Sequence, residues 1–224
     1  MTAASGTDVP TAFGDLLGLR LGHRLMCRDA RRLADLTAGW AAGTATMTAA
    51  RGRALVSWTD RLATEIHAHH TAEDDVLWPV LVQRAGAAVD LAALSDDHAA
   101  LDPVLTELRT ATRDAVAGRR DPAAAAAAHR VLAEELVEHI ESEERDLFPV
   151  IYAHVPLADW KGVEKGVRER GGDLFFALPR LASVCSEEEF ARLRAEAGPV
   201  LMVLLWIARR RLRRDARLLF GADA

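Results

Sequence analysis

Cysteine is scarce in this chain: Cys27 and Cys185 are its only two, too few for a disulfide framework or a four-sulfur metal site. A reducing cytoplasm is therefore the expected location, with both thiols read as small buried hydrophobes rather than reactive groups. Aromatic residues make up 5% of the chain and include one tyrosine, which with plentiful Ala, Leu and Arg favours helices over sheets. A basic excess is also missing. Lys and Arg number 28 against 33 Asp and Glu, for a formal charge of −5, which argues against a nucleic-acid binder. The apolar run Val200 to Ala208 is too short to span a bilayer. Met1 to Gly14 has no basic stretch leading into an apolar one, so no secretory signal or transit peptide is expected there.

Hydrophobic periodicity is what the chain does have. At 224 residues it can bury a sizeable core, and apolar positions recur at helical spacing through four long segments. These are about Asp15 to Ala42, Met47 to Arg84, Asp90 to Val116 and Pro122 to Ala153. Asp121 and Pro122 form a cap and first-turn pair for the fourth, and Gly86 is a stop signal for the second. Short connections between long helices predict an all-α fold: an up-down-up-down antiparallel four-helix bundle over residues 13–154. It is preceded by a flexible N-terminus (1–12) and followed by a C-terminal helical extension (155–224). The extension has a capping-box start at Ser186-x-x-Glu189 and a last helix from Pro199 to Phe220.

Two copies of one pattern, seventy residues apart, point to chemistry. His69-x3-Glu73 runs into Leu77-Trp78-Pro79, and His139-x3-Glu143 runs into Leu147-Phe148-Pro149. Residues i and i+4 share one helix face, so each copy aims an imidazole and a carboxylate at the same point. His23 lies in the apolar stretch of the first helix, and His98 on the apolar stripe of the third. An isolated His-x3-Glu is often a solvated pair. Burying two such pairs on matching faces would cost several kcal/mol per unpaired charge unless a metal or a dense hydrogen-bond network satisfied them. Four imidazoles and two carboxylates suit two metal ions bridged by the carboxylates. His70, Asp74 and Glu144 are read as groups that orient the ligands or face solvent, and His129 and His154 as ordinary surface residues.

The ordered set His23, His69-x3-Glu73, His98, His139-x3-Glu143, with its two Leu-aromatic-Pro flanks, resembles the hemerythrin-like or HHE cation-binding domain over about residues 13–154. The resemblance implies two iron ions, oxo- or hydroxo-bridged, with Glu73 and Glu143 bridging and the four histidines terminal. Oxygen-carrying hemerythrins place a further histidine one turn after the third-helix ligand, where this chain has Asp102. A site with one imidazole fewer would leave a metal position open, or filled by water or Asp102, favouring sensing or redox chemistry over oxygen carriage.

The leading expectation is therefore a cytoplasmic di-iron protein that binds or senses a small oxygen species (O2, NO or H2O2) in oxidative or nitrosative stress. The enzymatic rival is a catalase-like peroxide decomposition, with Asp102 and Glu144 as candidate proton carriers. A third reading is an iron-handling or partner-binding module. Arg209, Arg210, Arg211, Arg213, Arg214 and Arg217 make the last helix basic. That feature allows contact with an anionic membrane, but docking on the bundle or an oligomer contact is the preferred reading.

Overall fold

A computed structural model describes residues 16–221. The expected flexible segment 1–12 and the expected helix start at Asp15 lie outside the described residues. Described here are α1 (Leu17–Ala41), α2 (Ala49–Ala72), a π turn (Glu73–Leu77), α3 (Trp78–Ala85), α4 (Leu91–Val116), α5 (Pro122–His154), α6 (Leu157–Glu169), α7 (Leu174–Val184) and α8 (Glu187–Phe220). No strand occurs among the described residues. The long helices begin where local chemistry satisfies their free amides. The side chains of Thr48, Asp90, Asp121 and Asp173 each accept a backbone N–H of the first turn, each such cap worth about 1 kcal/mol. Ser186 and Glu189 form the expected reciprocal capping box. The continuous run α8 is broken at Gly198, whose φ of 67° no other residue adopts cheaply, so a helix restarts at Pro199.

The order of apolar and polar stretches along each helix explains the antiparallel bundle. Two apolar clusters form the core. Along α1 the chain passes from Leu16 in one cluster, through His23, to Met26, Leu33 and Leu36 in the other. Along α2 and α3 it returns: Leu55, Leu62 and Ile66 come first, then His69 to Glu73, then Leu77, Trp78 and Leu81. α4 repeats the sense of α1, with Leu94, His98, then Leu105 and Leu108. α5 repeats that of α2, with Leu132 and Leu136, then His139 and Glu143, then Leu147, Phe148 and Ile151. Burying each large apolar side chain contributes about 1.5–3 kcal/mol, and the two clusters hold a layer of imidazoles and carboxylates between them.

The extension shares this core. Trp160 and Val163 of α6 join the cluster around Leu77, while Phe176 of α7 and Leu212, Ala216 and Leu219 of α8 join the other. A buried ion cluster fastens α7 to the bundle. The Arg180 guanidinium donates to Asp29 Oδ2 at 2.6 Å and to Glu65 Oε2 at 2.7 Å, and its face lies 3.8 Å from the Phe176 ring centre. Asp29 also accepts the indole N–H of Trp58 at 2.9 Å. The arginines at 209, 210, 211, 213, 214 and 217 of α8 all face solvent. No helix of the described residues is long and apolar enough to cross a membrane.

One expectation about a histidine is overturned. His129, read as a surface residue, is fully buried. Its Nε2–H donates to Thr112 Oγ1 at 3.0 Å, because the Thr112 hydroxyl proton is committed to the Leu108 carbonyl. Burial holds this imidazole at a pKa of about 3, hence neutral.

Candidate metal centre

The layer between the two apolar clusters contains two groups of potential donor atoms. His70, His98 and His139 form one, and His23, His69, Glu73 and Glu143 the other, with the atoms of each group within 4.8 Å of one another. All six residues singled out in the sequence are brought together, and His70 is added to them. Its presence corrects two expectations: His70 is buried among the donors rather than orienting them from outside, and the set holds five imidazoles rather than four. Adjacent helical residues point about 100° apart, and a helix aimed at the bundle axis puts one on each side of that axis. His69 thus reaches across to His23 of α1, its Nε2 at 3.0 Å, while His70 stacks on His98 of α4 with ring centres 4.3 Å apart.

The two carboxylates lie between the histidines. Glu73 directs Oε1 to His69 Nε2 at 3.2 Å and Oε2 to His98 Nε2 at 3.6 Å, so its two oxygens face different donor groups. Glu143 Oε2 is 3.7 Å from His23 Nε2 and 3.6 Å from His139 Nε2. The residues following these glutamates set the tautomers. Glu144 Oε1 accepts Nδ1–H of His23 at 2.9 Å, and Asp74 Oδ1 accepts Nδ1–H of His98 at 3.1 Å, which leaves each Nε2 lone pair facing the centre. Asp74 also accepts the Ser95 hydroxyl, which in turn accepts the indole N–H of Trp78. Asp102 sits elsewhere. It is exposed and accepts from His67 Nδ1 at 3.0 Å, so it fills no position in either donor group.

The electrostatics of this layer are those of lone pairs gathered for a cation. Burial holds His69 well below the ordinary imidazole range, His70 down to about 2 and His139 to about 4. His98 is also lowered by burial, against the opposing pull of Asp74. Burial pushes Glu73 up to about 8, and burial together with the neighbouring Glu73 raises Glu143 well above the carboxylate range. Both oxygens of Glu73 and of Glu143, Nε2 of His70 and His98, and both ring nitrogens of His139 are buried without a hydrogen-bond partner. Groups left in this state cost several kcal/mol each in a folded protein. Their convergence fits bound cations, because imidazole and carboxylate donors together suit iron and its first-row neighbours.

The two sequence copies are not identical in structure. α5 runs unbroken through His139, Glu143 and Pro149, whereas α2 opens into a π turn in which the Trp78 N–H reaches the Glu73 carbonyl. Such turns cluster at functional sites. Proline does not cause it by itself, since Pro149 holds the equivalent place in a continuous α-helix. α6 packs over the turn so closely that a Cβ on Gly166 would fall 2.9 Å from Val76.

The profile of the hemerythrin HHE cation-binding domain matches residues 18–151, well over half of the chain. The protein therefore belongs to the hemerythrin HHE family, whose domain binds cations, and the matched span ends within α5, before α6–α8. Comparison with curated proteins and with solved structures gave no match.

Proposed function

We propose that the chain is a di-iron protein that binds or senses a small oxygen species, with His70, His98 and His139 serving one iron, His23 and His69 the other, and Glu73 and Glu143 shared between them. The observation that carries this reading is the position of Glu73, whose two oxygens face separate donor groups while lacking any hydrogen-bond partner. When bound, an iron pair supplies one-electron exchange and affinity for small oxygen ligands. The protein's part is to present five imidazoles to the pair, to balance cationic charge with two carboxylates, and to shield the pair between apolar layers. The unequal imidazole count leaves one side with fewer protein donors, and that side is where an external ligand fits.

The fifth imidazole bears on the choice between binding and turnover. With His70 in the set, the loss of a histidine at position 102 no longer leaves the centre short of a neutral donor. Asp102, exposed beside His67, is not placed to move a proton there. Glu144 is: it touches His23 and is partly open to solvent. The iron-loaded protein is expected to form a stable optical adduct with nitric oxide or oxygen, and to release little oxygen from hydrogen peroxide. Steady oxygen release over many turnovers would replace this reading with the catalase-like one.

A further inference from the structure

A groove of about 770 Å³ runs along the surface between α4 and α5, and its floor reaches His139. Five carboxylates line it: Asp97 from α4, and Glu134, Glu135, Glu138 and Glu141 from one face of α5. Two guanidiniums oppose them. One, Arg145, is already engaged by Asp146 at 3.0 Å. Glu134 is bridged to Arg130, whereas Glu135, Glu138 and Glu141 stand exposed with no cation paired to them among the described residues. An acidic surface alone would mean little. Here it leads to an imidazole that is only 7% exposed and whose two ring nitrogens both lack a hydrogen-bond partner.

The opposite side of α5 is mixed in charge. A cavity of about 660 Å³ there reaches His23 and is lined by five arginines together with three carboxylates, Asp35, Glu141 and Glu144, so it lacks the acidic excess of the groove. A divalent cation approaching the centre thus meets the stronger attraction at the groove, where carboxylates outnumber guanidiniums five to two.

We propose that the acidic groove between α4 and α5 captures divalent cations and delivers them through His139 to the buried donors. This rests on the reading of the buried layer as a metal centre. A carboxylate-lined groove concentrates cations and speeds their association by ten- to a thousand-fold at low ionic strength. Carboxylates exchange ligands readily, and the three-imidazole group beneath binds first-row metals more firmly.

The test is anaerobic iron(II) uptake by the full chain, followed by stopped-flow tryptophan fluorescence and closed by metal analysis. The variant Glu135→Gln/Glu138→Gln/Glu141→Gln changes only exposed side chains, and Glu164→Gln/Glu187→Gln/Glu188→Gln removes the same charge outside the groove. The groove variant should load about tenfold more slowly at low ionic strength and reach the parent's final iron content, while the control variant loads at the parent's rate. Added salt should slow the parent and leave the groove variant nearly unchanged. Equal loading rates for parent and groove variant would overturn the groove's role while leaving the metal centre standing. Failure of the parent to take up iron at all would overturn both.

Discussion

At the scale of single residues, the positions that matter most are those holding other side chains in place. Asp74 and Glu144 each follow a glutamate of the buried layer and each accept Nδ1–H of a histidine on another helix. Asp74→Asn and Glu144→Gln keep shape and remove charge, and each should weaken iron binding by about 10–100-fold without unfolding the chain. Isothermal or fluorescence titration checks this, and unchanged affinity would show that the tautomers are set otherwise. Six of the seven converging donors were legible in the sequence, because the i,i+4 spacing of His69 with Glu73 and His139 with Glu143 places each pair on one helix face. His70 was not, since adjacency to His69 looks like a displaced neighbour until the helix is known to point at the bundle axis. Asp102 misled for a related reason: one turn beyond His98 is the right spacing, but that side chain leans outward to His67.

At the scale of elements, the apolar-polar-apolar order of each helix dictates both the antiparallel packing and the level of the donor layer, and it can be read from the sequence. The docking of the extension cannot. Arg180 and Asp29 are 151 residues apart, and no periodicity links the lone arginine of α7 to one of the two aspartates of α1. Removing Arg180 leaves Asp29 Oδ2 buried with only the Trp58 indole, while Oδ1 keeps its pair with Arg28. Arg180→Ala should therefore lower unfolding stability by about 3–5 kcal/mol, measured by urea denaturation. Adding Asp29→Asn should cost less than the sum of the single changes, and strict additivity would show that the two residues do not act as a unit. The π turn was equally illegible, because both copies share the same spacing and the same proline.

At the scale of the whole molecule, stability should depend on pH through the buried His129. Its folded-state pKa of about 3 lies below the ordinary imidazole value of 6.5, so between those values the unfolded chain binds the extra proton. Stability then rises with pH in that window and falls as pH drops from about 6.5 toward 3. His129→Leu should flatten this acid limb by a few kcal/mol when compared with the parent at matched iron content. An unchanged pH profile would mean that His129 is protonated in the fold. The same burial that excludes a proton from His129 also lowers the proton affinity of His69, His70, His98 and His139. The most direct measurement of the account is anaerobic iron(II) titration of the parent chain and of Glu73→Ala/Glu143→Ala, read by metal analysis and by the optical spectrum after oxidation. The prediction is two irons per parent chain with near-ultraviolet charge-transfer absorption, both lost in the double variant. One iron per parent chain, or two irons retained without Glu73 and Glu143, would contradict a carboxylate-bridged pair.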